Sequence, residues 1–375
     1  MARALPIAAL LLLALTVTAH AYTYHVNWNG SADFETIGEA MDQAVTGDTV
    51  MVAPGTYAGE NNRSLSFRNE SFTVMSEGGR RSVTVDGGGE ETCFVFGLGN
   101  SVLSGFTLQN GSSMVGGGIN IYGGSPTITD CTISGCTATT TSYYGGGGVF
   151  CQDGGTPTFT DVDIVSCVAD IGGGMCTKET TPILTRVRFA GNTAARRGGG
   201  LYCQDAEGTV EITDCDFYSN TAVYIGSGGG GVFLYSSQAN ITGTTFAYNK
   251  GAQGACIKLY DGSSPTIENC ILSFGRVGAA IHRIDGGEAV TTSRCIVYGN
   301  ELNDELVGTF YDILYEDPRF CGMLSGDLTL CSNSSALPGN NAWGVQMGAH
   351  GDGGCGECDS PVEASSWGRI KALYR

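Results

Sequence analysis

The sequence predicts an all-β chain: a right-handed parallel β-helix solenoid entered through a short N-terminal capping helix. The first observation behind this is a Gly-Gly-Gly-apolar signature at Gly116–Ile119, Gly146–Val149, Gly172–Met175, Gly198–Leu201 and Gly229–Val232, with weaker copies at Gly254–Ile257 and Gly278–Ile281. The apolar positions recur every 24 to 31 residues, 27 on average. The second is a β-branched segment between successive signatures: Ser125–Ile133, Thr156–Ile164, Thr181–Phe189 and Glu211–Phe217, with later copies at Thr244–Phe246, Cys270–Leu272 and Cys295–Val297. Asn192, Asn220, Asn249 and Asn300 each follow such a segment by three residues.

Alternation of β-branched residues with period 2 means strands. A repeat this short cannot bury its own apolar face, so it must stack on its neighbours. Chain order then sets equivalent strands parallel and about 4.8 Å apart. Parallel crossovers are right-handed. Glycine at the corners permits positive φ, and asparagine tolerates the left-handed region. Inward positions should be Ile119, Val149, Met175, Leu201, Val232, Ile257 and Ile281, as one stack.

An open solenoid needs covered ends. Ile37, Ala40, Met41 and Ala44 follow helical spacing, Thr36 with Glu39 makes a capping box, and Gly47 suits the stop. This helix should lid the first coil. Thr49–Val52 then enters the sheet, with Pro54-Gly55 as a turn. Asp317–Phe320 and Gly326–Leu330 read as a closing coil. The chain divides into a signal peptide at 1–21, an N-terminal cap with first coils at 22–95, β-helix repeats at 96–312, the closing coil at 313–354, and a C-terminal tail at 355–375. The tail ends in Trp367–Arg375, basic on an acidic chain. It reads equally as a sorting or attachment signal and as a frayed end.

Composition excludes several classes. Glycine numbers 59 without a three-residue period and proline only 9, which excludes collagen. Hydrophobic residues make up 42% and charged ones 15%, which excludes a disordered polyelectrolyte. Arg3, the apolar run Leu5–Val17 and Ala19-His20-Ala21 have the form of a secretory leader, and the run is too short to span a bilayer. Removing 1–21 takes away Arg3 and changes the net charge from −18 to −19. Such a chain repels nucleic acid and anionic lipid. The localisation expected is secreted or at a bacterial cell surface, with outer-membrane association.

The glycine signature and the Phe-x-x-Asn pairs, Phe189 to Asn192 and Phe246 to Asn249, resemble bacterial right-handed β-helices of the pectin-lyase-like superfamily, with repeats similar to those of polymorphic outer-membrane proteins. The resemblance covers residues 22 to 354. It implies the fold and leaves activity open, since lyases, hydrolases, esterases, adhesins and stalks share it.

Strand alternation assigns faces. Asp161 and Asp163, Arg186 and Arg188, and Asp214 and Asp216 occupy outward positions of three successive coils. They form a structural ion-pair ladder in which opposite charges on adjacent strands satisfy one another; the competing reading is a lyase or esterase site. Phe150, Tyr202 and Phe233 should form an exposed aromatic row, with Tyr122, Tyr235 and Tyr260 two residues further on. These six are the candidate ligand-binding residues, since aromatic faces suit sugar rings or a protein partner. No catalytic residue is assigned. The polygalacturonase pattern is missing, and His25, His282 and His350 lie far apart in sequence. No cofactor is expected. Calcium enters through Asp153, Asp205 and Asp261, acidic turn residues of a kind that more often simply make Asx turns. Cys131, Cys215, Cys270 and Cys295 should be free inward thiols. Cys355 and Cys358 form one CxxC, read as a terminal disulfide; the alternative is half of a redox or zinc site.

The resulting reading is an exported, non-catalytic surface β-helix that binds or displays, with an extended glycan or a cell-surface protein as partner. The alternative is a carbohydrate-active enzyme of the same fold, such as a calcium-dependent polysaccharide lyase.

Overall fold

The computed structural model describes residues 20–141, 144–226, 228–285 and 290–358. Most of the expected leader and of the tail lies outside these residues.

The chain winds as a parallel solenoid. A nine-stranded sheet stacks Leu65–Ser66, Phe94–Phe96, Ile119–Tyr122, Val149–Gln152, Met175–Lys178, Leu201–Gln204, Val232–Tyr235, Ile257–Tyr260 and Ile281–Arg283 in chain order. Its register is the repeat itself: Ile119 pairs with Val149, Val149 with Met175, Met175 with Leu201, Leu201 with Val232, Val232 with Ile257, and Ile257 with Ile281. All seven are buried. A 19-stranded sheet wraps the other sides, and a five-stranded ribbon precedes the glycine signatures. Between residues 96 and 312 every strand pairing among the described residues is parallel.

The large sheet bends at one recurring corner. Asp130, Asp161, Arg186, Asp214, Asn269 and Arg294 occupy it with φ of 48 to 56°, and Gly105 and Gly243 take the same place in other coils. The left-handed residue turns the strand by one corner without a loop.

The interior is built from files of like residues. Phe189, Phe217 and Phe246 stack with centroids 4.7 and 4.9 Å apart and rings within 6° of parallel. Beside them runs a buried amide ladder. Asn192 Nδ2 donates to Asn220 Oδ1 at 3.0 Å and to the Ile164 carbonyl at 2.8 Å. Asn220 Nδ2 donates to Asn249 Oδ1 at 3.0 Å and to the Phe189 carbonyl at 2.8 Å. The backbone N–H groups of Cys167, Asn192 and Asn220 donate to the Oδ1 of the next asparagine. Eleven cysteines are free and buried, including Cys131, Cys215, Cys270 and Cys295. Burial pushes the Cys131 and Cys215 thiols up to about 12, so they behave as small apolar side chains.

The helix Ile37–Gln43 lids the entry, with the Thr36 hydroxyl accepting from the Glu39 N–H at 3.4 Å. Its C-cap is Ala44 in an extended conformation rather than Gly47, because the Ala44 N–H already closes the last turn on Ala40. The closing segment is not another parallel coil. Phe320–Gly322 and Asp327–Leu330 form an antiparallel pair, and the chain then runs back along the outside of the large sheet. There Leu330, Ala336 and Met347 bury Ile271 and Ile296. The CxxC cysteines are not joined to each other: Cys355 bonds Cys321 and Cys358 bonds Cys331.

Truncating Asn220 to Ala removes two donated and two accepted bonds in a dry interior. The expected loss is on the order of 3 kcal/mol of folding stability, read by urea unfolding. A loss below about 1 kcal/mol would mean that the ladder is incidental to stability.

Candidate functional site

The outer face of the nine-stranded sheet departs from simple alternation. In its six strands from Ile119–Tyr122 to Ile257–Tyr260 the second position is buried as well as the first and third. Phe150, Tyr202 and Phe233, expected as an exposed row, are 1%, 1% and 3% exposed. They pack with Ile171 and Cys176, flanked by Val115, Tyr144 and Tyr235. The cause is the glycine signature itself. Its first glycine has φ of 62 to 75° at positions 146, 172, 198 and 229 and folds the incoming chain back over the outer row. A Cβ on Gly198 or Gly229 would lie 2.8 Å from the Cβ of Tyr202 or Phe233. Only glycine permits that approach.

The cover reaches one strand beyond Phe233 and ends at His282. The next residues in this row are Lys258 and His282, in register on adjacent strands. Lys258 is 1% exposed, and its Nζ donates to Gln253 Oε1 at 2.6 Å. It lies on a cavity of about 130 Å³ with Arg197, Gly226, Phe233, Gln253, Tyr260 and Ile284. Neither Lys258 nor Arg197 forms an ion pair among the described residues. Arg197 instead sits over the Phe233 ring, 5.7 Å from its centroid. Burial, followed by the Arg197 charge, pulls the Lys258 amine down to about 8. Burial and the Lys258 charge also hold His282 below the usual histidine range.

At the rim Tyr235 and Tyr260 pair in register with ring centroids 5.2 Å apart. Tyr260 is 37% exposed. Tyr122 lies in the same file at equal exposure, but Gln152, Lys178 and Gln204 separate it from Tyr235. Two of the six candidate residues therefore form an accessible aromatic pair, one stands apart, and three are covered. Lys258, Arg197, Gln253 and His282 were not anticipated. The available signal was a lone cation in an otherwise aromatic and small-residue row.

The charged ladder forms only in part. Arg186 donates from Nε and Nη2 to the two Asp161 oxygens at 2.7 and 2.9 Å, in the open. Asp163 is taken by Arg80 at 3.2 Å, and Arg80 also reaches Asp130 at 3.4 Å. Asp216 is taken by His350 Nε2 at 2.5 Å. Arg188, expected to pair with these carboxylates, forms neither ion pair nor hydrogen bond among the described residues. Its register neighbours Asp163 and Asp216 have other partners, supplied by a distant coil and by the returning C-terminal segment. Arg186, Arg188, Asp214, Asp216 and His350 line a cavity of about 250 Å³ beneath that segment.

Asp153, Asp205 and Asp261 do not fit a calcium ion. Each is a left-handed corner residue with φ of 51 to 65°, and side-chain amides of Gln152 and Gln204 already hold Asp153 and Asp205 at 2.8 and 2.9 Å. They occur on alternating or more distant coils, so their carboxylates do not converge.

The right-handed β-helix region family matches residues 61–230 and 185–312, and the chain belongs to it. A pectate lyase crystal structure, Pel9A, superposes with a TM-score of 0.57 at 14% identity, covering 88% of this chain and 96% of that one. A carrot pectin methylesterase gives a TM-score of 0.43 at 10% identity over 78% and 88% of the two chains. At 14% identity the likeness to the pectate lyase is one of fold. A metabotropic glutamate receptor-like protein R of Dictyostelium discoideum is 31% identical over 137 residues; the match spans 36% of this chain and 8% of that protein. No helix among the described residues is long and apolar enough to cross a membrane.

The Asp216 bond holds His350 protonated above the usual histidine range, against the effect of its burial. This pair therefore stabilises docking of the C-terminal segment fully below the unfolded histidine pKa and loses that effect as pH rises through the raised value. Limited proteolysis of the segment should quicken across that interval, and His350→Gln should remove the dependence. Arg186→Ala, by contrast, should leave the unfolding midpoint unchanged, because its pair is exposed.

Proposed function

We propose that the open end of the nine-stranded sheet binds an acidic polysaccharide. The observation that carries this is Lys258, a cation almost wholly removed from water that forms no ion pair among the described residues, the Asp285 charge acting on it less than burial and the Arg197 charge do. Desolvating a cation without a counter-ion is costly, and a ligand anion offsets the cost. Arg197 supplies a second charge at the same cavity. Tyr235 and Tyr260 offer ring faces to sugars next in line. The local positive charge also answers the objection that the whole chain, at −18, repels anionic polymers.

Lys258 favours a second reading as well. An amine near pH 8 is a competent general base. Abstraction by Lys258 of the proton beside a uronate carboxyl, with the 4-linked sugar leaving as the double bond forms, would make the protein a lyase.

The test compares polygalacturonate with a neutral galactan of equal length by calorimetry and by ultraviolet absorbance for unsaturated products. Binding should favour the acidic polymer, and Lys258→Met should weaken it by at least about tenfold, or 1.4 kcal/mol. Equal binding of the two polymers, or unchanged binding by a folded Lys258→Met variant, would remove the proposal. Product absorbance that disappears in Lys258→Met would select the lyase over the binder.

A further inference from the structure

The CxxC at Cys355 and Cys358 is half of a four-sulfur pattern, and the fold supplies the other half. The antiparallel pair carries Cys321 on its first strand, and Cys331 immediately follows its second. Each of these sulfurs is bonded to one sulfur of the CxxC, in the pairs Cys321–Cys355 and Cys331–Cys358. The two disulfides are not separate features. Cys355 Sγ lies 3.5 Å from Cys331 Sγ and 3.9 Å from Cys358 Sγ. The Sγ atoms of Cys321, Cys331 and Cys355 lie within 4.8 Å of one another.

A zinc ion bound by four thiolates at about 2.3 Å sets its sulfurs about 3.8 Å apart. Two of the non-bonded separations, at 3.5 and 3.9 Å, already have that size. Each bonded pair needs to open by only about 2 Å to match. The Cys355-x-x-Cys358 turn has the pair spacing that structural zinc sites use, and the antiparallel hairpin brings Cys321 and Cys331 together as the second pair.

The chain around the sulfurs is held by bonds that do not involve them. Cys331 N–H donates to the Arg319 carbonyl at 2.9 Å, and Gly353 N–H to the Leu330 carbonyl at 2.9 Å. Asn333 Oδ1 accepts from Cys358 N–H at 3.2 Å, while its Nδ2 donates to the Cys358 carbonyl at 3.0 Å. Gly356, at φ +78°, turns the chain between the two CxxC cysteines. Reduction of the disulfides would therefore leave four thiols assembled in one place.

We propose that these four sulfurs form a convertible metal site: two disulfides when oxidised, and one tetrahedral zinc ion when reduced. The reductant is a dithiol. Two dithiol molecules reduce two disulfides to four thiols and become two cyclic disulfides. The four thiols then bind Zn²⁺ and release four protons, with no change in the metal's oxidation state. The metal form belongs to the chain before it meets an oxidising compartment. The other eleven cysteines are buried in the solenoid and do not compete.

The full chain, reduced and freed of reductant without oxygen, is titrated with Co²⁺ as a zinc surrogate. The expected result is the intense visible spectrum of a tetrahedral cobalt tetrathiolate, saturating at one ion per chain and bleached by Zn²⁺. Cys355→Ser with Cys358→Ser should abolish it. Should that variant misfold, wild-type chain alkylated with and without Zn²⁺ and mapped by mass spectrometry decides the matter: zinc should protect Cys321, Cys331, Cys355 and Cys358. A reduced chain that gives no tetrathiolate spectrum, or equal alkylation of those four with and without zinc, overturns the proposal.

Discussion

Everything in this molecule depends on strict parallel stacking of coils at one inter-strand spacing. Once Ile119, Val149 and Met175 are in register, every other position of the repeat is in register too. Like residues then meet like residues along the axis. For apolar side chains this is harmless, and Phe189, Phe217 and Phe246 stack face to face. For polar ones it is demanding, because a buried amide must find partners in the coils before and after it. Asparagine solves this, since it offers a donor and an acceptor along the same line. Asn192, Asn220 and Asn249 satisfy backbone groups that the turn would otherwise leave bare.

The same constraint decides where function can reside. Identical outward side chains would stack their charges, so charge must alternate along a file or be compensated from outside it. Arg186 and Asp161 do the former. Arg80, arriving from an earlier coil, and His350, arriving from the C-terminal segment, do the latter. Lys258 is different. Its file neighbours are Phe233 and His282, neither of which is an anion. Burial and the Arg197 charge disfavour a cation there, and only the Asp285 charge favours it.

Legibility in the sequence follows sequence distance. The coil phase, the inward file, the capping helix and the free core thiols all rest on the local period, and a local period survives in any window of the chain. Phe150, Tyr202 and Phe233 were misplaced because alternation knows only the strand, while the cover over them comes from the segment before it. The glycines that announced the phase were also the residues that made room for that cover. Arg80 with Asp163, and His350 with Asp216, join positions many coils apart in sequence, and no spacing rule connects them. Lys258 was legible in principle as the wrong residue type for its row.

The C-terminal end brings these strands of argument together. A solenoid's last coil presents unpaired strand edges, which invite association with another chain. Here the repeat stops being parallel at Phe320, and the returning segment covers Ile271 and Ile296 with Leu330, Ala336 and Met347. Three ties dock it on the solenoid: this apolar contact, the His350–Asp216 ion pair, and the bonds from Gly348 N–H to the Asn269 carbonyl and from Ala349 N–H to the Thr245 hydroxyl. The first two respond to temperature and to pH. The disulfides, and the backbone bonds around Asn333 and Leu330, join parts of the segment to one another instead. Docking on the large sheet is therefore independent of the state of the sulfurs, and that independence is what allows one set of cysteines to take two bonding states.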